Sequence, residues 1–377
     1  MNPIELTKRL IKFNTINPPG KEYQIALFLG KFLKRHDFHV EYLEFEKERL
    51  QIVAEKNIKQ GVAPIVLSGH LDVVPLGNKE WTKKPFDPII VDDKIYGRGS
   101  SDMKSGVAAI VSAAINVFNK GDLSIGVRLI LTASEENGCK GANRIKSDNI
   151  DIGNACGLII AEPTSNIPCI GHRGSLYLNA HTAGITAHAS MPHEGENAIY
   201  KAARAIVKLE NLKFNVENDP LLGMPSLNVG TINGGINSNS VPDSAGFTID
   251  IRTTRELDNK KALDLVQKTV GDDVILKSFT DMNFCYTNDN EDFVKVVYEV
   301  CENEEISFNA PISLPYLTDA SILQPLYNNV PTVIVGPGEP EMAHKTDEYC
   351  YVQKIEQAVR IYENIILLWN KKYANKN

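Results

Sequence analysis

Four short apolar runs each lead to residues able to bind a metal, and this repetition constrains the fold more than any other feature of the chain. Residues 65–69 run into His70 and Asp72, and residues 127–133 run into Glu135-Glu136. Residues 157–161 run into Glu162-Pro163, and residues 331–336 lead through a Pro/Gly turn to His344. In open α/β sheets, binding sites form outside the carboxyl ends of the strands. A fifth stretch, Gly-Arg-Gly-Ser-Ser-Asp-Met-Lys-Ser-Gly at 97–106, lies between strand-like residues (89–91 and 94–96) and an apolar helix at 107–118. Taken alone, Asp102 in that stretch reads as a helix N-cap, and His70 as a hydrogen-bonded core histidine. Taken together, the five stretches supply two histidines and three carboxylates without a thiolate, a set suited to zinc, cobalt or manganese. One carboxylate could bridge two ions roughly 3.5–4 Å apart.

The chain has 377 residues, more than one hydrophobic core usually supports, so two domains are expected. A net charge of −7 argues against nucleic acid or an anionic membrane as the main partner. No apolar run reaches the roughly 18 residues of a membrane span, and residues 4–13 read as an amphipathic helix rather than a secretory segment. Six cysteines are scattered with no Cys-x-x-Cys pair, as expected of reduced thiols in the cytoplasm. Cys139, three residues past Glu136, is assigned a packing role.

In chain order, a helix at 23–38 follows a Pro-Pro-Gly turn at 18–20, and strands at 40–45 and 51–54 precede the run to His70. After Glu162 the pattern changes. Alternating strands at 176–182, 226–232 and 245–252 are interleaved with helices at 198–209 and 260–269, which describes an α+β insert over 176–288. The first domain then resumes with a helix at 292–301, the strand at 331–335 and a closing helix at 354–369. The expected fold class is α/β: a mixed, largely parallel sheet flanked by helices, in a discontinuous domain over 1–175 and 289–377.

Five motifs occur in order along nearly the whole chain. They are Gly-His-Leu-Asp-Val-Val-Pro at 69–75, Gly-Arg-Gly-Ser-Ser-Asp-Met-Lys at 97–104, Glu-Glu at 135–136, Glu-Pro-Thr at 162–164 and Ala-His-Lys-Thr-Asp-Glu at 343–348. In these the chain resembles the M20 family of dinuclear metallopeptidases and deacylases. The resemblance implies a zinc-exopeptidase-like catalytic domain and assigns the insert as a lid through which the enzyme forms a homodimer. It implies two divalent metal ions, zinc or else cobalt or manganese. His70 and Glu162 would bind one, Glu136 and His344 the other, and Asp102 would bridge both. It implies Glu135 as general base and acid, and a cis peptide at Asp102-Met103. Asp72 is read as the partner that fixes the His70 tautomer, because positions i and i+2 share one side of an extended chain.

From the insert, the resemblance implies that His188 reaches the partner subunit's site and stabilises an oxyanion. Asn239 and Arg252 would contact substrate, Arg252 by a two-pronged grip on a carboxylate. Thr318 and Gly336 would line the same region. Desuccinylases proper carry Gly-Arg-Arg-Gly and Gly-Thr-Ser-Asp-Gly where this chain has Gly-His-Arg-Gly at 171–174 and Leu-Thr-Asp-Ala at 317–320, which argues against succinyl-diaminopimelate as substrate. Asn-Pro-Pro-Gly at 17–20 and His-Ala-Ser-Met-Pro at 188–192 look more like the acetylornithine-deacetylase branch. The implied reaction is hydrolysis of the amide of a small N-acyl amino acid. A dipeptidase or carboxypeptidase of the same family is the alternative, and a non-catalytic dimeric binding protein is the alternative from another class.

Overall fold

The computed structural model describes residues 1–374; residues 375–377, the end of the range read as catalytic domain, lie outside the described residues. The chain forms two compact units. The first comprises Met1–Gly171, Tyr286–Ile312 and Thr318–Asn377, and the second His172–Cys285 with Ser313–Leu317.

The first unit is built on a six-stranded sheet. Its strand order is His39–Glu46, Arg49–Lys56, Val127–Thr132, Ile65–His70, Gly157–Ile160 and Thr332–Ile334. The last four strands run parallel, and the first two join antiparallel at one edge. The fold is therefore mixed α/β with a largely parallel sheet, as the apolar runs imply. Strands Ile65–His70, Val127–Thr132 and Gly157–Ile160 are buried at every position, so they read as predominantly apolar rather than alternating, with Arg128 among them paired with Glu55.

Helix Lys104–Asn119 is buried over nearly its whole surface, between the sheet and the closing helix Val352–Ala374. Its small residues allow this close approach. A Cβ on Gly106 would stand 2.1 Å from the carbonyl oxygen of Ala161, a backbone atom that cannot swing away. Gly106→Ala is expected to cost about 1–3 kcal/mol, read as a lower urea midpoint at unchanged slope. The N-cap position of this helix falls on Met103, so Asp102 stands one residue outside it and does not cap it.

The second unit is a four-stranded antiparallel sheet in the order Ser226–Gly234, Ser244–Thr253, Gly174–Ala183, Val274–Met282. Leu176, Leu178 and Ala180 on one central strand and Phe247, Ile249 and Ile251 on the other point to one face. There they pack with Ala202, Ala205 and Leu209 of helix Ala198–Glu210 and Val266 of helix Asn259–Val270. The edge strand Val274–Met282 is buried only at its two ends, so it lacks the alternation that identifies its neighbours in sequence.

Candidate metal centre

The parallel strands release their chains at one edge of the sheet, and the ligand-type residues collect there. His70 ends its strand fully buried, with Nε2 3.0 Å from Oδ1 of Asp102 and 3.9 Å from Oε1 of Glu162. His344, in a loop with φ +65°, places Nε2 3.0 Å from Oε2 of Glu136 and 3.4 Å from Oδ2 of Asp102. Two donor groups result, His70–Asp102–Glu162 and Asp102–Glu136–His344, and they share Asp102. The Asp102–Met103 peptide bond is cis.

A second layer orients these donors. Asp72 is read from sequence as the tautomer partner of His70, but its carboxylate lies 3.6 Å from Nδ1, whereas its main-chain carbonyl lies at 3.0 Å. The carbonyl is thus the nearer partner. The Asp72 carboxylate instead accepts the N–H groups of Glu135 (3.0 Å) and Glu136 (3.2 Å) and the amide of Asn17 (2.9 Å). It fixes the turn on which both glutamates stand.

Glu348 has no role in the sequence reading, although it closes the motif at 343–348. Fully buried, it accepts N–H groups from Gly99, Ser101 and Asp102 at 2.7–2.9 Å and pairs with Arg98 at 2.7 Å. One carboxylate therefore shapes the loop that presents Asp102. Arg98 also stacks on Trp81, 5.0 Å from the ring centre, which gives the Trp81 loop its structural role.

The electrostatics follow from burial of so many acids together. Burial, then the neighbouring charge of Asp102, pushes Glu136 up to about 7. Burial drives Glu162 well above the carboxylate range, and burial with the charge of Glu162 does the same to Glu135. Asp102 goes the other way: against the upward push of burial, hydrogen bonds from His344 and His70 hold it low. Hydrogen bonds to Asp102 and Glu136 raise His344 to about 10. Oε1 of Glu136 and Oε1 of Glu162 are buried without a hydrogen-bond partner. Three carboxylates and two imidazoles with two orphaned oxygens form a donor set that divalent cations would satisfy.

Glu135 belongs to neither group sharing Asp102. Its Oε1 accepts the thiol of Cys139 at 3.5 Å, so Cys139 meets the site instead of only packing behind it. Two residues expected to contact substrate are otherwise engaged. The Gly336 N–H donates to Thr164 Oγ1, and its carbonyl accepts the Asn166 N–H. A Cβ there would stand 2.5 Å from the Glu162 carbonyl oxygen, so Gly336 acts as a buttress behind Glu162. Thr318 is fully buried and accepts the N–H of Ala320 with its hydroxyl.

In the second unit, His188 and Asn239 sit side by side on exposed loops, where the Ala189 N–H donates to the Asn239 carbonyl. His188 Nδ1 accepts the Ser190 N–H and lies 2.7 Å from the Ser190 hydroxyl, so in the neutral ring that fits this contact Nε2 carries the proton. Arg252 stands apart on the sheet. It donates to Ser175 and Tyr177 at 2.6 Å each and pairs with Asp250 through Nε and Nη2. Asp250 thus stands against the two-pronged face expected for a substrate carboxylate, hydrogen-bonded through Nη2 and held by charge beside Nε.

A sequence model described as peptidase family M20/M25/M40 matches residues 66–368. A probable succinyl-diaminopimelate desuccinylase of Staphylococcus epidermidis is 31% identical, covering 98% of each chain. Among solved structures, a tripeptidase of Staphylococcus aureus is similar with TM-score 0.75 and 23% identity, over 98% of each chain. An M20 family metallo-carboxypeptidase of Sulfolobus solfataricus reaches TM-score 0.79 at 18% identity, covering 98% of this chain and all of the other.

Proposed function

Because the chain belongs to peptidase family M20/M25/M40, we propose that it hydrolyses the amide bond of small N-acyl amino acids with a pair of divalent metals. The observation that carries this reading is the pair of donor groups sharing Asp102, with the unligated Glu135 carboxylate on the same turn as Glu136. His70 and Glu162 would hold one ion, Glu136 and His344 the other, and Asp102 would serve both. When bound, the ions supply Lewis acidity toward the amide carbonyl and lower the pKa of a water. Zinc is the proposed metal, with cobalt or manganese as substitutes.

Glu135 takes the proton of the attacking water and delivers it to the leaving nitrogen. Asp72 holds Glu135 through its main-chain N–H. His188, reaching across the homodimer to the other subunit's site, donates from Nε2 to the oxyanion, a role supported by its exposed ring with Nδ1 already accepting the Ser190 N–H. Asn239 and Arg252 bind the polar ends of the substrate. The second unit serves as the lid and as the surface of a homodimer. A cytoplasmic setting is supported by six free thiols, and no helix among the described residues is long and apolar enough to cross a membrane.

Release of free amine from N-succinyl-diaminopimelate, N-acetylornithine, other N-acetyl amino acids and dipeptides tests this reading. N-Succinyl-diaminopimelate leads the panel because the staphylococcal relative carries that name. Turnover of an acyl amino acid, abolished by a chelator and restored by zinc, is expected. Turnover of dipeptides alone would make the protein a peptidase, and silence across the panel with metal bound would leave the binding-protein alternative.

A further inference from the structure

We propose that Glu135, Cys139 and Asp319 form a third cation site, which takes a thiophilic divalent ion such as zinc or cadmium and blocks hydrolysis by capturing the Glu135 carboxylate. The blocking half rests on the role given to Glu135 above; the binding half does not. One ligand atom from each residue lies within 4.8 Å of the other two. That spacing lets one ion reach all three at the usual zinc distances of about 2.0–2.3 Å once the side chains draw in slightly. None of the three residues belongs to the groups that share Asp102.

None of the three side chains is a cation, and His70 is the positive group whose charge reaches both carboxyls. Asp319 is 2% exposed; its Oδ2 accepts the Thr132 hydroxyl at 2.6 Å, while Oδ1 has no partner. Glu135 receives only the weak thiol donor. A half-buried and a fully buried carboxyl group thus converge on a single S–H, and the buried one keeps an oxygen without a partner, which native interiors rarely leave uncompensated. The backbone holds the thiol in place: the N–H groups of Gly138 and Cys139 both donate to the Glu135 carbonyl, and Cys139 adopts φ +49°. This turn folds the sulfur back onto the carboxylate of residue 135. The sulfur makes this donor set softer than the all-nitrogen-and-oxygen set beside it, so it selects thiophilic ions. On binding, the Cys139 S–H bond breaks, its proton leaves to solvent and a sulfur–metal bond forms, with no change of oxidation state.

The test is a cadmium titration of protein already loaded with two equivalents of zinc, followed by the ultraviolet thiolate–cadmium charge-transfer band. A third equivalent should bind with that band and inhibit hydrolysis. In Cys139→Ser the band should vanish and inhibition should require about tenfold more cadmium or beyond. Asp319→Asn, which keeps the thiol, should retain the band but weaken its midpoint by about tenfold. Cys156→Ala, at a half-buried thiol elsewhere, should change neither. A band that persists in Cys139→Ser, or an Asp319→Asn midpoint equal to wild type, would overturn the site. A band with no inhibition of an active enzyme would overturn the blocking half alone.

Discussion

Glu135→Gln is expected to lower kcat for amide hydrolysis by about 10²–10⁴-fold while leaving metal content and KM nearly unchanged. The substitution keeps the size of the side chain and removes only its ability to accept and return a proton. The turn is insulated from the change, because Asp72 holds residue 135 through the main-chain N–H and not through the side chain. Metal content should survive because Glu135 lies outside both groups that share Asp102. Steady-state kinetics beside metal analysis of the same preparation make the comparison. A variant that keeps more than about a tenth of wild-type kcat would remove Glu135 from the proton path.

The second large effect lies at Glu348, which accepts the main-chain N–H of Asp102 and belongs to neither donor group. Glu348→Ala leaves Arg98, itself 1% exposed, buried opposite no charge, and it frees three main-chain N–H groups of the Asp102 loop. Breaking a buried ion pair from one side costs about 3–5 kcal/mol, which should appear in urea unfolding of the metal-free protein. Metal affinity should also fall by about 10–100-fold, because Asp102 loses the loop that orients it. If unfolding shifts but metal affinity does not, Glu348 stabilises the fold without shaping the site.

The legibility of this chain in its sequence divides along physical lines. Strand ends carrying His70, Glu136 and Glu162 were visible because strands buried on both faces are predominantly apolar, and the polar residues after each one stand out. Glu348 was not visible as a loop-shaping residue. Its partners Gly99, Ser101 and Asp102 are some 250 positions earlier, and nothing local distinguishes an acid that accepts backbone N–H groups from a solvated one. Cys139 reads as a core thiol because burial and a carboxylate contact leave the same trace in composition. Gly336 lies in the right region, but the reason for glycine is the Glu162 carbonyl behind it rather than a ligand in front. Arg252 was read from residue type as a free fork, whereas the sheet pairs it with Asp250, two positions away on the same strand face.

The shared carboxylate is the centre of the account, and metal stoichiometry tests it directly. In a Cys139→Ser background, which removes the thiolate of the third site, protein dialysed against zinc and then against metal-free buffer should retain two ions per chain. His344→Ala should retain one, since it strips a single group, and Asp102→Ala should hold neither tightly, since it strips both. One ion in that background, or two retained after loss of Asp102, would contradict a bridged pair.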